Sequence, residues 1–221
     1  RLGDSALIVG EVRSSEAKAL YEAMRIGALA NVVAGTIHGD SPYGVFDRVV
    51  NDLLVPATSF KATDIVIVAN PIRTADGLHM QKRVVSITEV RKHWQTDPLQ
   101  EGGFVDLMRY NVEKDELEPG DALINGESEI IKAIAGNVKG WAGNWEAVYD
   151  NIILRGKCKQ ELVFAAEKIG KDDILEAGFN VLSNVMLHKI SEKVREDKGV
   201  ALTEDVFPIW KEWLYNAAEK L

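Results

Sequence analysis

The stretch Ala6-Leu7-Ile8-Val9-Gly10-Glu11-Val12-Arg13 decides how the first half of this sequence is read. Four apolar residues run straight into a glycine, a carboxylate and a guanidinium. A short, continuous apolar run bounded by turn residues predicts a buried strand of a parallel sheet. Open α/β sheets hold their ligands at the carboxyl ends of strands. Glu11 and Arg13 therefore stand where such a sheet does its chemistry. A buried strand also needs neighbours, so residues upstream of Arg1 are expected to complete the sheet, with this chain as the C-terminal part of a longer protein.

Working outward, Ser14 and Ser15 offer N-cap oxygens, and Glu16 suits a first helical turn. Ala17, Leu20, Tyr21 and Met24 mark one helical face, and Gly27 is expected to end that helix. Asn31 to His38 reads as a second buried strand, again closing on polar residues. Gly39-Asp40-Ser41-Pro42 is a loop with a proline at the first helical position. Val45, Phe46, Val49, Val50 and Leu53 then give a helical stripe that Pro56 breaks, and residues 59–62 read as a short helix. Residues 64–69 predict a third buried strand. His79 to Glu89 and Phe104 to Tyr110 are extended runs of the half-exposed antiparallel kind, with a hairpin turn at Asp76-Gly77.

From about Asn125 the period changes to helical. Ile130, Ile131, Ile134, Val138 and Trp141 fit one helix, and Trp145 to Ile169 a second. Ile174 to Val194 and Phe207 to Ala218 fit two more. The organisation is α/β over residues 1–97, extended strands and linker over 98–124, and a helical subdomain over 125–221.

Composition narrows the function. With 46% hydrophobic and 27% charged residues the chain has an ordinary globular make-up. No apolar run approaches the roughly 20 residues of a membrane span, and no signal-peptide pattern opens the chain. A single cysteine, Cys158, excludes an internal disulfide and a cysteine-based zinc site. Residues 1–97 balance 11 basic against 11 acidic residues, while the remainder carries 15 basic and 23 acidic. That acidic second half argues against a phosphate-backbone footprint there. Trp210 and Trp213, at i and i+3 beside Phe207 and Leu214, have core or partner-helix spacing rather than that of a nucleic-acid platform.

Two strand ends carry the candidate chemistry. Phosphoryl-transfer sites place a carboxylate at a strand end, where it orients an attacking water and supports Mg²⁺. Glu11 fits that role; the competing reading is a surface glutamate. In Gly35-Thr36-Ile37-His38, His38 repeats the arrangement, against the competing reading of a structural histidine. A strand, a crossover helix and a second strand place two parallel strands in one sheet, so Glu11 and His38 should share an edge. Arg13 and Arg48 are the positive candidates near it. No G-x-x-x-x-G-K-[ST] occurs in the chain, so a phosphate cradle has to come from elsewhere.

These residues resemble a known family. Leu7 to Arg13 followed by Glu16-Ala17, then Ala23 to Gly27, then Gly35-Thr36-Ile37-His38, then Arg48, is similar to the C-terminal motor domain of the type II/type IV secretion ATPases. Within them it resembles the archaeal GspE-like branch, which drives type IV pilus and archaellum assembly. The resemblance is strongest over residues 1–94. It implies a partial RecA-like P-loop NTPase core, with a parallel sheet, flanking helices and antiparallel edge strands, followed by the helical subdomain. It makes Glu11 similar to the Walker B glutamate, supporting Mg²⁺ and polarising water, and His38 similar to the close of the His box. Gly10, Arg13 and Arg48 fall on the nucleotide-binding pattern. ATP with Mg²⁺ is the implied substrate. The implied setting is a cytoplasmic homo-hexamer, peripherally bound to the membrane and acting on a polytopic membrane platform protein, with no direct nucleic acid. The family's second histidine is absent at Gly27-Ala28, its phosphate-binding loop would lie upstream, and the four-Cys module of bacterial relatives is absent.

Three rivals stand beside this reading. One is a conjugation-type, DNA-transfer ATPase of the same superfamily. The second is a non-catalytic assembly module. The third is a metal-dependent phosphoesterase using Glu11, His38 and Asp40.

Overall fold

A computed structural model describes residues 6–25, 32–74 and 76–221. The chain divides into two compact units, Arg1–Ile130 and Ile131–Leu221. The first is mixed α/β, with a small parallel sheet and an antiparallel sheet; the second is helical.

In the first unit, β1 (Ala6–Val9) and β2 (Val32–Gly35) pair in parallel, Ala6 opposite Val32 and Val9 opposite Gly35. The helix α1 (Glu16–Arg25) lies between them in the chain, as a parallel pair requires. Its first amides are satisfied by the backbone rather than by the expected serine hydroxyls. Ala17 N donates to Ser14 O and Lys18 N to Ser15 O, while the Ser14 hydroxyl bonds the Glu16 carboxylate. Gly27, Ala28 and Asn31 lie outside the described residues.

The expectation of fully buried strands is corrected here. Ile8 is 70% exposed and Val32 57%. Parallel strands are buried when helices cover both faces; in this two-stranded sheet the face carrying Ile8 and Val32 is uncovered.

The run 64–69 belongs to another sheet. β3 (Ile65–Arg73), β4 (Met80–Val90), β5 (Phe104–Asn111) and β6 (Glu116–Pro119) form an antiparallel meander in that order. Its first turn is the one predicted: Gly77 takes φ +68°, and Asp76 accepts the Leu78 amide at 2.9 Å. Val66 and Val68 are buried while Ile67 is exposed, so β3 alternates as a half-buried strand does.

Between the sheets, Ser41 caps α2 (Pro42–Asp47) by accepting the Gly44 amide at 3.0 Å, with Pro42 in the first turn. The predicted stripe through Leu53 continues as a π-turn over Arg48–Asp52, followed by α3 (Ala57–Phe60). Val45, Phe46, Val49, Phe60 and Trp94 fill the core with Ala17, Tyr21 and Val90. Phe46 meets Phe60 and Trp94 edge-on, at 5.2 and 5.6 Å between ring centres. Gly120 precedes α4 (Asp121–Ile124).

Two polar devices hold this unit's loops. Glu89, buried on β4, accepts the Glu129 amide at 3.0 Å and the Ser128 hydroxyl, and lies 2.9 Å from Arg91 Nε. The Glu101 carboxylate accepts the amides of Gln95, Thr96 and Asp97, each at 2.7 Å. Those backbone bonds, that of Asp97 foremost, pull its carboxyl down to about 2. A lowered carboxyl stabilises the loop above the unfolded-state value and loses that contribution as pH falls through the folded one. On acidification the amide resonances of Gln95, Thr96 and Asp97 should move together between about pH 4.5 and 2, and Glu101→Gln should abolish that shared titration. Independent midpoints would refute the nest.

The helix α5 (Glu129–Ala135) is shorter than predicted. Gly136 follows it, and the chain turns through Trp141 to Asn144, whose side chain caps α6 (Trp145–Ile169). A 3₁₀ turn over Asp172–Leu175, α7 (Ala177–Lys198) and α8 (Thr203–Ala218) complete the second unit. Leu154, Leu162, Ile174, Leu187, Val206, Trp210 and Leu214 form its core. Trp210 Nε1 donates to Ser183 O at 3.1 Å, and Trp213 stacks on Phe179. Both tryptophans thus serve packing, as their spacing predicts. Asp150 on α6 accepts the Thr203 amide at 2.8 Å and so caps α8. Cys158 is buried in this core, and desolvation pushes its thiol up to about 12.

Candidate functional site

Backbone pairing continues past the carboxyl ends of β1 and β2. Thr36 N donates to Val9 O at 3.3 Å and Val12 N to Thr36 O at 2.8 Å, while the Thr36 hydroxyl bonds Gly10 O. These contacts hold residues 10–12 against residues 36–38. His38 Nε2 consequently lies 3.3 Å from Glu11 Oε1, and Arg13 Nη1 lies 3.2 Å from Glu11 Oε2. The two strand ends meet at one edge, and each oxygen of Glu11 faces one basic side chain.

The site is open. The side chains of Glu11, Arg13 and His38 are 30%, 69% and 81% exposed. Ion pairs this exposed add little to stability and are screened by salt. The cluster therefore does not account for the fold, and its geometry is available to a ligand. A carboxylate held between a guanidinium and an imidazole can position a water and accept its proton.

The other predicted residues fall differently. A Cβ at Gly10 would meet nothing within 4 Å, so packing does not demand glycine there. Arg48 lies in the π-turn, half-buried, and makes no ion pair with Glu11 or His38; its Nε is buried without a hydrogen-bond partner. Single π-turns inside helices are frequent at functional sites. Asp40 accepts the Ser41 hydroxyl at 2.9 Å. Among the described residues no group of three His, Cys, Asp or Glu side chains is gathered as a metal site.

One residue escaped the sequence reading. At Gly39 a Cβ would come within 2.7 Å of Val45 Cγ2 and 3.2 Å of the Val45 amide nitrogen. Gly39 lets the loop after His38 press against α2, which sets the direction in which His38 leaves the sheet. The Gly-Asp pair marked only a loop; the close approach depends on α2 folding back over it.

No family model matches the chain. It is similar to an uncharacterized protein of Methanocaldococcus jannaschii, with 32% identity over 131 residues. That stretch is 58% of this chain and 44% of the relative, so the chain spans less than half of that protein's length. No helix among the described residues is long and apolar enough to cross a membrane.

Proposed function

We propose that this chain carries the water-activating half of an ATP-hydrolysing site, in a secretion or pilus-assembly ATPase with a RecA-like core. The observation that carries the reading is the meeting of Glu11 and His38 at 3.3 Å, with Arg13 on the other carboxylate oxygen, at the carboxyl ends of two parallel strands. The order of motifs around those residues supports it.

In this reading Glu11 accepts a proton from water as the water oxygen bonds to the γ-phosphorus and ADP departs. His38 and Arg13 fix the rotation of the carboxylate. Mg²⁺ accompanies the triphosphate. Glu11 is the carboxylate of this chain that would hold it. Arg13 and Arg48 are the candidates for the phosphates. The whole protein is proposed to act as a cytoplasmic homo-hexamer on a membrane platform protein.

The chain of 221 residues lacks a glycine-rich phosphate loop. By itself it should bind ATP weakly and turn none over; tight stoichiometric binding in a titration with MgATP would contradict this. In a longer chain that includes such a loop, ATP hydrolysis is expected. There His38→Ala should lower turnover by about tenfold or more while moving the melting temperature little, since its pair with Glu11 is exposed. A large fall in melting temperature with intact specific activity would make His38 structural.

A further inference from the structure

A cleft of about 310 Å³ lies in the second unit, between α5 and the start of α6. Lys132 and Ala135 line it from α5, Trp141 from the turn, and Asn144, Trp145 and Val148 from α6 and its cap. Ala135 and Val148 are buried and form its floor, while the two indoles are half-buried. Gly140 and Gly143 take φ +87° and +72°, which an L side chain rarely adopts. The Trp141 amide donates to Val138 O at 3.1 Å and the Asn144 amide to Trp141 O at 2.9 Å. The turn therefore holds its tryptophan in place before anything binds.

Trp141 is placed unlike the packed tryptophans. Trp94, Trp210 and Trp213 each pack on another aromatic ring; among the described residues Trp141 meets none. The charge around it is one-sided. Residues 130–145 carry Lys132 and Lys139 and no aspartate or glutamate. Both lysines are exposed, and among the described residues neither forms an ion pair. Lys132 lines the cleft, and Lys139 stands two residues before Trp141.

We propose that this cleft is a docking site for a short acidic segment of a partner protein, with one aromatic residue as its anchor. Small-molecule sites run from about 300 to 1,000 Å³; a cleft at the bottom of that range takes one ring and leaves the rest of its partner outside. Interfaces concentrate their binding energy in aromatic side chains seated in such pockets. Lys132 and Lys139, free of acidic neighbours in sequence, select carboxylates next to the anchor. Two cations are too few for a nucleic-acid backbone, whose binding rests on many phosphate contacts. A purely apolar segment would leave both lysines unused. The cleft accepts its partner whether or not Glu11 hydrolyses ATP.

The test uses the 221-residue chain, isotope-labelled at its five tryptophans, and a synthetic peptide with one phenylalanine between two pairs of glutamates. Two twin peptides replace the phenylalanine by alanine, or the glutamates by glutamines. The first peptide should shift the indole N–H resonances of Trp141 and Trp145 with a Kd of about 0.1 mM, and leave those of the buried Trp94 and Trp210 in place. Each twin should bind about fivefold more weakly. The double variant Lys132→Gln/Lys139→Gln changes only exposed side chains. It should lower the affinity for the acidic peptide to that for the glutamine twin. Trp141→Ala should abolish binding; should that variant not fold, the twins and the lysine variant carry the decision. Absence of a shift at about millimolar peptide, equal binding of either twin, tighter binding of a single-stranded oligonucleotide of the same length, or shifts confined to Trp94 and Trp210 overturns the proposal.

Discussion

Glu11→Gln, placed in a longer chain that carries a phosphate-binding loop, should leave nucleotide binding intact and reduce ATP turnover by about 10²–10⁴-fold, the contribution of a positioned proton acceptor. The amide keeps the size of the carboxylate and can still meet His38 and Arg13, but it does not take a proton from water. Stability should hardly change, because Arg13 and His38 are largely exposed and such pairs contribute little. Nucleotide affinity and single-turnover hydrolysis, measured on the same preparation, separate the two effects. Unchanged turnover would end the assignment of Glu11 as the water-activating residue.

The second large effect concerns stability. Glu89→Ala should destabilise the first unit by about 3–5 kcal/mol, as breaking a buried charged pair does. Glu89 is 1% exposed. It faces Arg91 Nε at 2.9 Å and takes the Ser128 hydroxyl and the Glu129 amide. Arg91 in turn pairs with Glu129 at 2.8 Å and donates to Glu127 O at 2.6 Å. Removing Glu89 leaves a guanidinium largely out of water and withdraws the acceptor of the Glu129 amide at the start of α5. The double variant Glu89→Ala/Arg91→Ala should lose less than the two single losses summed, since both remove the same pair. A loss below about 1 kcal/mol in denaturant unfolding would show the network to be dispensable.

The candidate site was legible in sequence because it depends on local order. A strand, a helix and a strand in succession bring Glu11 and His38 to one edge, and their contact at 3.3 Å agrees. Arg48 was legible only as a cation near that edge. The π-turn that carries it inserts a residue into a helical stripe without disturbing the apolar spacing. The helical half was read from its 3.6-residue period, with α6 found where Trp145 to Ile169 places it and α8 ending at Ala218 as expected but starting at Thr203 rather than Phe207. What local pattern did not reveal was partner choice. The run 65–69 is as apolar as the run 6–9, yet it pairs antiparallel with β4 rather than with β1 or β2. Burial was overestimated for the same reason: Ile8 and Val32 look like core residues, and whether they are depends on what lies across the sheet. The role of Glu89 is equally non-local, since its partners Ser128 and Glu129 follow it by about 40 residues.

Cys158 has a practical consequence. Nucleophilic attack needs the thiolate, and this thiol is both buried and pushed up to about 12. Near neutral pH the folded helical unit should ignore maleimides and disulfide reagents, and modification should wait for that unit to open. The chain thus carries a built-in clock for the opening of its helical half. A new cysteine at an exposed position, such as Leu54 or Leu78, can take a fluorophore selectively while the native thiol stays in place.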